Sequence, residues 1–166
     1  VGRIVEVEAY GGSDDPASHA AGGRRPRNAT MFGCAGLLYV YRSYGLHWCA
    51  NVVVGAEGDP AAVLLRALEP LAGVDLMERC RSDRRRGEWC NGPGKLCAAM
   101  DITGDHDGDD LLDPAAPIRL CTDGTPAPAH PAVSARVGIT RAAERPWRFS
   151  VPGSSWVSRG RPSHGG

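Results

Sequence analysis

The chain opens on a hydrophobic pattern of period two. From Arg3 to Tyr10, Val5, Val7 and Ala9 alternate with Ile4, Glu6, Glu8 and Tyr10. That spacing predicts a strand and sets Glu8 beside Tyr10 on one surface. Residues 11–30 lose the pattern. Gly11-Gly12, Pro16, Gly22-Gly23 and Pro26 break it into a long polar loop of the kind that often carries function. Leu37–Tyr41 predicts a second strand with Tyr39 and Tyr41 on one face, and residues 42–45 a turn with Tyr44 near its tip. Leu46–Val54 predicts a third strand that places His47, Cys49, Asn51 and Val53 on one side. Ala61–Leu68 is a nearly continuous apolar run, the pattern of a strand buried on both faces, interrupted by Arg66.

Leu71, Val74, Met77 and Cys80 recur every three residues and predict a helix that ends in the basic run Arg84–Arg86. Gly92-Pro93-Gly94 predicts a turn into a short helix through Leu96 and Met100. Residues 101–132 read as loop around one short apolar strand, Ile118–Cys121, and Ala132–Ile139 and Trp147–Val151 as closing strands. Without repeats or a linker, the expected fold is a single α+β domain over 1–166, with a curved, mainly antiparallel sheet and a few short helices. Because the chain begins inside its first strand, a preceding N-terminal segment is expected to be missing.

Composition narrows this picture. At 166 residues, 42% hydrophobic and 23% charged, the chain can bury a sizeable core. No apolar run reaches 18 residues and no secretory signal is visible, so no membrane span is expected and the protein is placed in the cytoplasm as a monomer. Acidic and basic residues balance at 19 each, but arginines gather at 24–27, 79–86 and 136–148 while acids gather at 14–15 and 101–113. A molecule so divided can offer phosphates a positive face without any net excess. The six cysteines include no C-x-x-C and no zinc-finger spacing, so a reduced protein without metal or other cofactor is expected. The preference for Arg over Lys, with 22 Gly and 13 Pro, points to a GC-rich bacterial genome.

Two residues, Glu8 and Arg66, invite chemistry on their own terms, and a third, Lys95, does not. Glu8 is a carboxylate on a strand face beside a tyrosine, and Glu6 shares that face, so position alone does not choose between them. Arg66 is a guanidinium inside an apolar strand, costly unless paired, with Glu69 a possible partner. Lys95, the only lysine, sits at the turn after Gly92-Pro93-Gly94 and is not a candidate for imine chemistry. The acidic stretch Asp105–Asp110 fails as a calcium loop, because its glycine comes too early and no Glu occupies the twelfth position; it reads as a solvated loop.

The order and spacing of several short stretches resemble the alkyladenine (3-methyladenine, methylpurine) DNA glycosylase family over nearly the whole chain. They are Arg3–Tyr10, His19, Pro26-Arg27-Asn28, Met31-Phe32, Leu38–Tyr41, Tyr44-Gly45, Cys49-Ala50-Asn51, Val63–Pro70, Gly92–Leu96 and Arg136–Ile139. Each alone is weak; their ordered conjunction is specific. The resemblance implies that Glu8, within Glu8-Ala9-Tyr10, is the general base that activates water, and that Arg66 positions this carboxylate and a phosphate. It implies a pocket for a flipped base formed by Tyr10, His19 and Tyr41, with Asn51 in its floor against the exocyclic amino group of guanine. It makes Tyr44 the wedge that fills the hole left in the duplex, and it implies a helix and strand before Arg3. The chain departs from the family's pattern at Arg25, Cys34-Ala35 and Ala50, none of them a catalytic position.

The activity so implied is that of a monofunctional DNA glycosylase of base-excision repair. It would bind double-stranded DNA, flip an alkylated or deaminated purine (3-methyladenine-like bases, hypoxanthine) and hydrolyse the N-glycosidic bond, leaving an abasic site without cutting the strand. Two other readings share some features: a protein that binds damaged DNA without catalysis, and a sheet-based RNA-binding module using Tyr39 and Tyr41 as stacking platforms.

Overall fold

The structure is a computed structural model that describes residues 1–160; the last residues of the expected domain, 161–166, lie outside the described residues. Six antiparallel strands form one open sheet in the order β2-β3-β4-β1-β6-β5. They are β1 (Gly2–Tyr10), β2 (Leu38–Ser43), β3 (His47–Val53), β4 (Ala62–Pro70), β5 (Ala132–Ser134) and β6 (Arg148–Ser150). Two short helices, α1 (Val74–Cys80) and α2 (Pro93–Ala99), complete an α+β domain with four 3₁₀ turns. Among the described residues no helix is long and apolar enough to cross a membrane.

The sheet buries both faces, and the strand alternation decides which residue goes where. On one side Leu38, Val40, Ala50, Val52 and Leu68 pack with Met77, Leu96 and Cys97 of the helices. On the other, Tyr39, Val53 and Ala62 pack with Ala20 and Met31 of the 11–37 connection. Gly94 lets α2 lie close to β3, since a Cβ there would come 2.8 Å from Cβ of His47.

The strict period of β1 fails at one point. Pairing with β4 keeps one register from Gly2 to Ile4, shifts at Glu6↔Ala67, and returns at Val7↔Leu65. Val5 on β1 and Arg66 on β4 are left without a Cα partner, so each strand carries an extra residue at a bulge. As a result Ile4 packs on the helix side, whereas Glu8 and Tyr10 meet the residues of the opposite face; the single face expected for Ile4, Glu6, Glu8 and Tyr10 is broken.

Other expectations change in detail. The helix begins only after Gly73, in the left-handed region at φ 68, and ends at Cys80, so Leu71 and the run Arg84–Arg86 lie outside it. Ile118–Cys121 is not a strand: Leu120 N–H donates to the Leu111 carbonyl and Ile118 packs against the helix-side core. The closing strands are three residues each. The acidic 105–110 segment is more than solvated loop, because Asp107 accepts from the Val40 amide at 2.9 Å and from the Thr30 hydroxyl at 2.9 Å, clamping β2 to the loop before it.

Candidate active site

β1 lies between β4 and β6, so a carboxylate on it is enclosed from both sides. Glu8 has no exposed surface. Its Oε1 accepts from the Val137 amide at 2.7 Å and meets Nη1 of Arg66 at 3.1 Å, and its Oε2 accepts from the Tyr10 hydroxyl at 3.0 Å. Glu6, 1% exposed, takes a heavier load. Oε1 receives Arg66 Nε at 2.8 Å, Arg148 Nε at 2.6 Å and the Ser158 hydroxyl at 2.8 Å, and Oε2 receives the Ser158 amide at 2.5 Å. Burial raises the Glu6 pKa, but the Ser158, Arg66 and Arg148 donors outweigh it and hold the carboxyl below its usual range. A carboxylate offers about four lone-pair sites. Glu6 accepts four hydrogen bonds, whereas Glu8 accepts two and carries the ion pair with Arg66.

Arg66 is 5% exposed, and its buried charge is matched by Glu6 and Glu8 together. Glu69, the partner available in sequence, instead faces Arg3 at 3.4 Å on the surface. Only the fold could make this exchange, because the sheet brings residues 6 and 66 together across 60 positions of chain.

Tyr10 is held from two sides. Its hydroxyl donates to Glu8, and the Arg136 guanidinium lies 4.7 Å from its ring centroid. Burial, and then the neighbouring Glu8 charge, raises the Tyr10 pKa, so the hydroxyl remains a donor at neutral pH. Arg136 is itself fully buried. It forms a bidentate pair with Asp15, donates to the Ala9 and Ala142 carbonyls, and lies 5.1 Å from the Trp147 ring. This pair fixes the 11–19 loop, whose Gly11 and Ala17 amides also donate to Asp15, and starts the 136–139 segment whose next amide caps Glu8.

The Asp15 pair has a pH signature. Burial raises the Asp15 pKa, but the Arg136 and backbone donors lower it further, so the folded value lies below the ordinary one. Its contribution to stability is therefore complete above the unfolded-state pKa of about 4 and is lost as pH falls through the folded value. Urea midpoints measured from about pH 5 downward are expected to fall, and Asp15→Asn, less stable at neutral pH, should show a flatter acid limb. A parallel profile in the variant would refute the assignment.

Between β2, β3 and the 11–31 connection lies a cavity of about 600 Å³, within the range of small-molecule sites. Tyr10, His19, Tyr39, Tyr41, Asn51 and Arg66 all line it. His19 meets Tyr41 edge-on with ring centroids 4.3 Å apart, and Tyr39 stacks with Tyr41 at 5.6 Å. His19 Nδ1 lies 2.9 Å from the Tyr39 hydroxyl, which donates to the Arg27 carbonyl at 3.4 Å. Burial, helped by the Arg27 charge, lowers the His19 pKa and keeps the ring neutral at pH 7. Burial pushes Tyr39 up to about 12 and raises Tyr41 as well, so the wall presents neutral aromatic faces. Asn51 is paired across the ladder with Tyr39 and donates to its carbonyl at 3.1 Å.

The β2–β3 turn carries Tyr44, which also lines the cavity. Its side chain is 89% exposed, and its φ of 50 is left-handed, as is that of Gly45 at 69. Two left-handed residues suit a tight hairpin turn, but a tyrosine there costs more than Gly or Asn would. Lys95 is tied to Asn91 at 2.8 Å and is not among the cavity's lining residues.

Comparison with known proteins gives this arrangement a family. The model of the methylpurine-DNA glycosylase family matches residues 1–155. The chain belongs to that family. It is 53% identical over 158 residues to an Agrobacterium fabrum protein named "Putative 3-methyladenine DNA glycosylase", covering 95% of this chain and 78% of that one. Proteins of the same name from Burkholderia orbicola (49% identical, 97% and 78% covered) and Nocardia farcinica (50%, 97% and 79%) are similarly related. Membership makes this family member a DNA-repair enzyme of the class that hydrolyses N-glycosyl bonds.

Within this family member, the structure brings Tyr10, His19, Tyr41, Asn51 and Arg66 to one cavity, while sequence reasoning gave no role to the residues that hold them. Asp15, Arg148 and Ser158 are ordinary polar residues in sequence, Arg136 stood out only as the start of the Arg136–Ile139 stretch, and their partners lie up to 152 positions away. Asn28 is another: fully buried, it accepts from the Arg25 amide and donates to the His19 and Gly23 carbonyls, which sets the backbone that carries His19. Its signal in sequence was its place in the Pro26-Arg27-Asn28 stretch.

Proposed function

We propose that the protein removes 3-methyladenine-like bases from double-stranded DNA, flipping the damaged nucleotide into the aromatic cavity and hydrolysing its glycosidic bond with water activated by Glu8. The observation that carries this reading is the set of partners around each buried carboxylate. Glu8 accepts two hydrogen bonds where Glu6 accepts four, and the Tyr10, Arg66 and Val137 around Glu8 all line the cavity, whereas the Arg148 and Ser158 around Glu6 do not. Glycosidic cleavage builds positive charge on the sugar, which a fixed carboxylate stabilises while it takes the proton of the attacking water.

The cavity supplies the rest. Flipping costs a few kcal/mol of lost stacking and pairing, and aromatic faces return about 1–3 kcal/mol per base. Tyr10, His19 and Tyr41 offer those faces in neutral form, suited to a cationic alkylated purine that leaves without prior protonation; hypoxanthine, being neutral, would need it. Asn51 in the cavity wall would reject guanine by crowding its exocyclic amino group. With the lone lysine occupied by Asn91, water is the nucleophile and the product an abasic site in an uncut strand.

Tyr44 serves as the wedge, and its exposure in a costly backbone conformation is the reason. Tyr44→Ala is expected to weaken binding to damaged duplex by about 1–3 kcal/mol without lowering the melting temperature. Unchanged affinity would remove the wedge role. The function itself is tested by base release from duplexes containing 3-methyladenine, 7-methylguanine or hypoxanthine. Release of the first is expected to be fastest, and release of none would overturn the proposal.

A further inference from the structure

Resting on the activity just proposed, we infer that Glu6 is a positioning residue whose task is to keep Arg66 from closing on both oxygens of Glu8. Guanidinium is a rigid planar fork, and its natural union with a carboxylate is bidentate. At Glu8 the closest approach is Nη1 to Oε1 at 3.1 Å, while the hydrogen bonds of Arg66 go to Glu6 and Ser158. The other two nitrogens are held elsewhere, Nε by Glu6 at 2.8 Å and Nη2 by the Ser158 hydroxyl at 3.2 Å. Because the fork is planar, fixing Nε and Nη2 fixes the line along which Nη1 can point.

The surroundings show why such a holder is needed. Arg66 stands at the bulge, with no Cα partner in the β1–β4 ladder, so its tertiary partners set where its long side chain goes. Ser158 connects the parts: its hydroxyl donates to Glu6 and accepts from Arg66, and its amide donates to Glu6. Arg148 adds a second cation on Glu6, so Glu6, Glu8, Arg66 and Arg148 together balance two charges against two. Without Glu6, Arg66 would be free to rotate into a bidentate pair with Glu8 and cover the Oε2 site where the water belongs. Glu6 thus acts on the reaction through Arg66, and Ser158 makes the 156–160 segment part of the same device.

Glu6→Gln keeps the shape, removes the charge, and turns one acceptor into a donor facing the Ser158 amide. We expect the single-turnover rate of base release to fall about 10²-fold in Glu6→Gln. A smaller loss is expected in Ser158→Ala, which guards against failure of the first variant to fold. The dissociation constant for a duplex carrying an abasic-site analogue should stay within a few-fold of wild type. The other groups facing Glu8, namely Tyr10, Arg136, Cys49 and the Val137 amide, are unchanged. In an Arg66→Ala background, Glu6→Gln should have no further effect on rate. Additive effects, or parallel losses of rate and binding in a folded variant, would each overturn the proposal. The wild-type protein is measured alongside; its failure to release base would instead refute the glycosylase reading.

Discussion

Glu8→Gln is expected to reduce base release from alkylated duplex by at least the 10²–10⁴-fold that a positioned general base contributes, while DNA binding is retained. The substitution is nearly isosteric, so the cavity wall stays in place. Tyr10 can still donate to an amide oxygen, and Arg66 still has Glu6. What disappears is the base for the water and the negative charge that faces the developing positive sugar. The new amide nitrogen must also lie near one of the donors that Glu8 now accepts, at a cost of about 1–3 kcal/mol for a buried unsatisfied donor, which the fold should survive. Single-turnover release and equilibrium binding to an abasic-site analogue separate the two effects. Wild-type release rates in this variant would sink the assignment of Glu8; loss of binding with loss of rate would make it a scaffold residue.

Arg66→Ala is expected to damage both stability and activity. Removing one partner of a buried ion pair costs about 3–5 kcal/mol, since the remaining charge is stranded. Here the stranded group is Glu8, whose other contacts are a neutral amide and a hydroxyl, whereas Glu6 keeps Arg148 and Ser158. Urea denaturation of wild type and variant measures the first effect, and base release the second. Arg66→Lys should rescue little, because one ammonium cannot reach Glu6, Glu8 and Ser158 as the fork does. An unchanged urea midpoint together with unchanged turnover would refute the buried-anchor role.

These two residues also mark how much of the site was legible beforehand. The period-two pattern of β1 put Glu8 next to Tyr10, and the two do share a hydrogen bond. The same pattern put Ile4 on that face, and it failed there because a bulge is a matter of pairing with β4, which no local period reports. Arg66 was conspicuous as a charge in an apolar strand, but its partner was sought nearby at Glu69 and lies on β1 instead. The helix after β4 was found by its spacing and misjudged at both ends, since the left-handed Gly73 and the surrounding packing, not periodicity, set its limits.

The sequence by itself determined the strands, the face on which Tyr39, Tyr41, Cys49 and Asn51 lie, the exposed Tyr44 turn, and the chemistry open to a chain with one lysine. Those are properties of neighbours in sequence, written in alternation and residue type. Only the tertiary structure decided how many donors each carboxylate holds, which cation pairs with it, and what Asp15, Arg136 and Ser158 hold in place. Such choices depend on burial and on partners up to 152 residues apart. The value of a charge there is set by how many donors the fold brings to it, and no stretch of sequence can count them.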